Sequence, residues 1–284
     1  MVKNWAQAYE IIRKCANLQR LYVLDCEFKK DEYLENIGAF VANIQLYYYD
    51  AHEAMISCEN NKVLLSHCTQ LQELRIQTFI GSPWREKVLL TSEDTLEYVV
   101  VCTGVECLDI VSRCKNIKHL GIFSTGNRMR WNSLNWKLLN CRDGNFTRLE
   151  TLQITWYSSE VALLINIIKQ NKKLKVLEVH SFPNPFSESH IKDIAENCKN
   201  LRIVKLPEQQ KVAKEWFSHL LTLPSLEMLC LVNIWSDCVL VQFDDESVTA
   251  LCEFIQLSPS IRVIQTDTNI NILKTMVGKA NQNP

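Results

Sequence analysis

Twelve cysteines and six histidines are the residues of this 284-residue sequence that most invite chemistry. Thiolate and imidazole together can hold zinc, or can supply a nucleophile and its base. Their spacing speaks against both uses. No C-x-x-C pair occurs, Cys102 and Cys107 come closest to a ligand pair, and no two histidines have finger spacing. Cys15, Cys68, Cys114 and Cys198 instead each stand three residues before a Leu or Ile, which is what a recurring packing role predicts. Core packing is the reading this supports, ahead of a metal site or a reactive thiol. Asp244, Asp245 and Glu246 could do acid–base work, but the capping-type Ser247 follows them at an expected helix start, where carboxylates favour the dipole. With seven glycines the chain has no phosphate-binding loop, dinucleotide fingerprint, nucleophile elbow or zincin helix. No catalytic residue, cofactor or metal is expected, and the chain is not read as an enzyme.

A different set of side chains has the chemistry of recognition. Arg20, Tyr22, Asn43, Gln45, Tyr47, Glu73 and Arg75 belong to it in the first part of the chain. Gln77, His119, Gln153, Thr155, Glu178, His180 and Lys205 continue it. Aromatic and Arg anchors of this kind usually dominate protein interfaces, and a merely solvated surface is the alternative.

What positions them is a repeat. The pattern apolar, two residues, apolar, one residue, apolar occurs ten times, beginning at Leu18, Val41, Leu71, Leu96, Ile117, Leu149, Leu174, Leu201, Leu226 and Ile261. Successive anchors lie 21 to 35 residues apart, close to the spacing of leucine-rich repeats. The last two apolar positions of each triplet alternate as in a β-strand, so both face the core and the residue between them faces away. In the second repeat this register turns Tyr47 outward, and Tyr48 inward or into the following loop. Between strands the spacing becomes helical, as at Val161, Leu164, Ile165 and Ile168, and Ser187 or Ser189 is placed to cap a helix over SESHIKDIAENC. The expected fold is an α/β leucine-rich-repeat solenoid of about ten repeats, a horseshoe with its parallel sheet concave and its helices convex. Residues 1–270 form one domain in this reading and 271–284 a C-terminal cap and polar tail. At about 4.8 Å per strand, ten strands give an arc of roughly 45 Å, the size of a protein rather than a metabolite. Three long repeats place insertions at 47–62, 123–146 and 233–247. Trp131, Trp136 and Trp235 in them either rim the binding face or cover the core.

Hydrophobic residues at 47% and charged residues at 22% describe an ordinary globular chain. The net charge of -1 suggests neither a nucleic acid nor a membrane as partner. Polar residues interrupt the first 18 positions, no segment reaches the ~20 apolar residues of a membrane span, and the cysteine content fits a reducing cytosol or nucleus. No disulfides are expected, and the sequon at Asn145 reads as a chance match.

Cys15-Ala-Asn-Leu18, Cys68-Thr-Gln-Leu71, Cys114-Lys-Asn-Ile117 and Cys198-Lys-Asn-Leu201, with Cys26 three residues after Val23, give the form C-x-x-L-x-x-L-x-L-x-x-C. This resembles the cysteine-containing leucine-rich repeats of F-box/LRR proteins, over residues 5 to about 270. The resemblance implies the substrate-recognition repeats of a cullin-RING ubiquitin-ligase receptor, with a protein bound on the concave face. Docking on the ligase adaptor would need an F-box, a helix bundle longer than the 17 residues before Leu18, so none is expected within this sequence. The alternative is a non-degradative scaffold or inhibitor that wraps one protein, as ribonuclease-inhibitor-like repeats do.

Overall fold

Ten short strands recur along the chain because each repeat offers one alternating apolar stretch, too short to be stable without a neighbour. The computed structural model describes residues 71–76, 92–102, 111, 113–123, 146–155, 161–180, 186–206, 212–231 and 245–266, with the strand backbone of 20–22 and 48–51. The chain divides into two compact units, 1–146 and 147–284. The repeat pattern of the sequence runs through both.

In the first unit, β1 (Arg20–Tyr22), β2 (Tyr48–Ala51), β3 (Glu73–Ile76), β4 (Tyr98–Cys102) and β5 (His119–Phe123) pair in chain order, all parallel. Leu74, Val99 and Leu120 stand side by side in register and are buried. The repeat anchors Leu71, Leu96 and Ile117 are buried beneath them.

One register differs from expectation. The second strand is Tyr48–Ala51, not the segment around Ile44, and Tyr49 stands opposite both Leu21 and Leu74. The reason is that the repeat pattern can also be read as Leu46, Tyr49, Ala51. By backbone register Tyr49 holds the position of a strand anchor. Tyr48, expected inward or in the loop, therefore shares the register of Arg20 and Glu73, while Asp50 shares that of Tyr22 and Arg75.

In the second unit, β6 (Thr151–Thr155), β7 (Val176–His180), β8 (Ile203–Leu206), β9 (Met228–Leu231) and β10 (Val263–Thr266) again pair parallel in chain order. Helices α1 (Val161–Gln170), α2 (Glu188–Asn197), α3 (Glu215–Leu220) and α4 (Asp245–Leu257) alternate with them. Each helix packs on the next, and their inner faces, among them Leu164, Ile168, Ile191, Ile194, Trp216, Phe217, Leu251 and Phe254, close over the inward strand residues. Each fully buried side chain of this size contributes roughly 1.5–3 kcal/mol relative to exposure. Both units thus have the leucine-rich-repeat arrangement, one parallel strand per repeat. Among the described residues no helix is long and apolar enough to cross a membrane.

Among the described residues one backbone arrangement recurs at the seams between repeats. The carbonyl of the residue before one strand accepts two N–H groups from the next repeat: Gln72 O from Glu97 and Tyr98 at 2.8 and 3.0 Å, Lys175 O from Arg202 and Ile203 at 2.8 and 3.0 Å, Glu227 O from Arg262 and Val263 at 2.8 and 3.0 Å. The cysteine position is a second tie. Cys198 Sγ lies 3.3 Å from the Ile168 carbonyl of the preceding helix and donates to it. One repeat earlier Asn171 occupies that position, where its Oδ1 accepts from Leu149 N at 2.9 Å and its Nδ2 donates to Ile167 O at 2.7 Å. Cys114 and Cys198 are fully buried, and burial pushes both thiols up to about 12, so they remain protonated packing groups. Cys15 and Cys68 lie outside the described residues.

Helix α2 starts as a capping box. Ser187, not Ser189, is its cap: Ser187 Oγ accepts from His190 N at 3.3 Å, and Ser187 N donates back to His190 Nδ1 at 3.1 Å. Desolvation lowers the pKa of His190, against the attraction of Asp193, which favours the neutral ring that can accept this bond. At α4 Asp245 and Glu246, expected to serve the dipole, sit in the first turn, while Asp244 lies outside the described residues; Glu246 also pairs with Lys214 at 2.8 Å, and Ser247 Oγ donates to Val212 O at 2.7 Å.

Candidate partner-binding face

Residues that alternate with the buried anchors stand on the strand face away from the core, and parallel register lines them up in two rows. In the first unit Glu73, Tyr98 and His119 share one row and Arg75, Val100 and Gly121 the other. The Arg75 guanidinium lies 4.3 Å from the centre of the Tyr98 ring, and the Tyr98 and His119 rings stack at 5.2 Å with a 29° tilt. Cation, phenol and imidazole form a continuous pile across three strands, all half-exposed. Beside it, Gly121 keeps the sheet close. A Cβ there would stand 3.0 Å from Val100 Cγ2 and 3.1 Å from Phe123 Cε2, so the glycine makes room for these two apolar side chains.

In the second unit one row holds Gln153, Glu178, Lys205, Cys230 and Gln265. Lys205 Nζ donates to Glu178 Oε1 at 2.8 Å, while His180 Nε2 stands 3.7 Å from Glu178 Oε2, an electrostatic neighbour beyond hydrogen-bond length. Burial by itself would raise the Glu178 carboxyl, yet the attraction of His180 and Lys205 outweighs it and holds the group at about 2. Glu178 is therefore a fixed anion. Next to it Thr155 shares the register of His180, and Cys230 Sγ donates weakly to Gln265 Oε1 at 3.7 Å. The other row is apolar: after Thr151 come Val176, Ile203, Met228 and Val263, half-buried or exposed.

These observations sort the residues expected from sequence. Glu73, Arg75 and His119 come together around Tyr98, and Gln153, Thr155, Glu178, His180 and Lys205 form one cluster. Thr155, Glu178 and His180 are 3%, 9% and 9% exposed and lie deep in the face, while Lys205 and Gln153 are half-buried beside them. Arg20 and Tyr22 hold the matching register on β1. Asn43, Gln45, Tyr47 and Gln77, and the candidate rim residues Trp131, Trp136 and Trp235, lie outside the described residues.

Tyr98 and the apolar row are the residues that sequence reasoning misses. The signal for them was present. Tyr98 follows Leu96 by two residues, as Arg20 follows Leu18, Glu73 follows Leu71 and His119 follows Ile117. Val176, Ile203 and Met228 share that offset and went unnoticed because apolar residues beside an apolar anchor read as core.

No protein-family model matches the chain, and no curated protein matches it. Among solved structures the chain is similar to an internalin from Listeria monocytogenes, with 14% sequence identity and a TM-score of 0.46 over 88% of this chain and 71% of that one.

Proposed function

We propose that the chain is a binding module that captures another protein on the strand face of its repeats, and that it carries out no chemistry of its own. The observation that supports this best is the Arg75–Tyr98–His119 pile. Large side chains of low conformational entropy, held in place before binding, are what interface hot spots are made of. A buried ion-pair cluster and an apolar row give the second unit the mixed character of an interface core and rim.

In its finer form the proposal is the substrate-recognition part of an F-box/LRR-type receptor of a cullin-RING ubiquitin ligase, working in the cytoplasm or nucleus. The cysteine positions favour it, since Cys198 ties successive repeats as the resemblance implies. A non-degradative scaffold or inhibitor holding one protein is the second reading. It draws on the same face and needs no F-box.

The test is capture from cell extract by the tagged full-length chain and by two double variants. Tyr98→Ala with His119→Ala removes the pile. Lys192→Ala with Glu196→Ala alters the exposed surface of α2. A bound protein should be lost roughly thirtyfold with the first, about 2 kcal/mol for a hot spot, and retained with the second, with circular dichroism unchanged in both. Loss through the α2 variant alone would sink the proposal. Cullin and adaptor in the captured set support the ligase form, and a single stoichiometric protein supports the scaffold.

A further inference from the structure

Charge in the second unit is sorted by position in the repeat. The residue just before each of β6 to β10 is Glu150, Lys175, Arg202, Glu227 and Arg262. Parallel pairing sets these neighbours about 4.8 Å apart. Lys175 and Arg202 are thus like charges side by side, an arrangement that costs stability when nothing compensates it. The turns leading into the same strands add Arg148, Lys172, Lys173 and Lys199, and all four are exposed. This rim carries seven cations against two carboxylates, whereas the other described charges of the unit are four cations and eight carboxylates. A chain of net charge -1 therefore concentrates positive charge along one edge of a sheet.

Leaving Arg148 aside, the two rim carboxylates face six cations among the described residues. Lys175 meets Glu150 at 2.7 Å and Arg202 meets Glu227 at 2.7 Å, which engages both carboxylates. Lys199 Nζ lies 3.1 Å from Thr222 Oγ1, a neutral acceptor. The C-termini of α1 to α4 add about half a negative charge each, roughly two in all, against the four remaining cations Lys172, Lys173, Lys199 and Arg262. That field also fades within the last helical turn, so it accounts in part for Lys172 and Lys173 after α1 and Lys199 after α2, but not for Arg262.

We propose that this rim docks an acidic segment of a protein partner. The inference rests on reading the chain as a protein-capture module and adds a second contact surface, at the edge of the strand face. Partner carboxylates meet the surplus cations, and a basic residue among them can meet Glu150 or Glu227. An evenly charged nucleic-acid backbone fits less well, because those two carboxylates interrupt the row and no exposed aromatic side chain stands among the described rim residues to stack a base.

Fluorescence anisotropy of the full chain tests this with two labelled probes of equal charge, a peptide of alternating Glu and Ser and a single-stranded oligothymidylate. The peptide should bind more tightly than the oligonucleotide and weaken with salt. Lys172→Glu, Lys173→Glu and Arg262→Glu together should cost roughly tenfold or more in peptide affinity. Lys172→Gln with Lys173→Gln, which leaves no reversed charge to disturb the fold, should shift it in the same direction. Tyr98→Ala with His119→Ala should leave peptide binding intact, which separates failure of the rim from failure of the strand face. No peptide binding, binding unaffected by both rim variants, or tighter binding of the oligonucleotide would overturn the proposal.

Discussion

Glu178 shows how a single side chain on this face is held. Its folded-state carboxyl titrates at about 2 against an ordinary 4.5, because the attraction of Lys205 and His180 exceeds the cost of burial. A depressed carboxyl stabilises the fold fully above its unfolded value and loses that contribution as pH falls through the folded one. Wild type should therefore exceed Glu178→Gln in stability by on the order of 3 kcal/mol near neutral pH. The gap should close as pH drops from 4.5 towards 2. Denaturant titrations across that range measure it, and a gap constant with pH would contradict the assignment. At this scale the sequence was informative about which residue types lie outward and silent about their depth. Glu178 and Lys205 both read as solvent-facing, yet the carboxylate sits under its partners while the longer lysine stem reaches past it to water. Periodicity reports the side of a strand, whereas depth depends on neighbours from other repeats.

At the scale of elements, the position three residues before the repeat anchor ties a repeat to the one before at two described repeats. Asn171 both accepts and donates there, and Cys198 donates. Asn171→Ala leaves Leu149 N and Ile167 O without those partners in a buried setting and should cost about 2 kcal/mol or more. Asn171→Cys should cost less, since a thiol restores a donor but not the acceptor for Leu149 N. Urea unfolding of the three proteins gives the order wild type, Cys, Ala, and equal midpoints for the two variants would remove the donor from the account. Sequence reading found most of the elements because Leu, Ile and Val at fixed offsets leave one register only. The second strand was misplaced because Tyr49 and Ala51, an aromatic and a small residue, serve as anchors there, while Ile44 and Leu46 imitate the pattern five residues early. The capping serine was narrowed to two candidates, and the choice of Ser187 depended on His190 returning a bond that spacing alone does not reveal.

At the scale of the molecule, a repeat array is stabilised by each repeat and its neighbours, and three or more stacked repeats suffice. The described residues of 147–284 include five strands, four helices and a core of their own. Expressed alone, that segment should give a helical and strand signature in circular dichroism and a cooperative urea transition with a smaller m-value than the whole chain. A random-coil spectrum would show that it depends on residues 1–146. The forked carbonyl at each seam bears on ancestry as well as stability. Gln72, Glu97, Glu150, Lys175, Arg202 and Glu227 each receive the next repeat through the same two backbone bonds, a closure that needs no particular side chain at these six described seams. A gene encoding such a chain can duplicate or delete one whole repeat by unequal recombination and leave every remaining joint intact, so the length of the array is open to selection independently of the residues that make the recognition face.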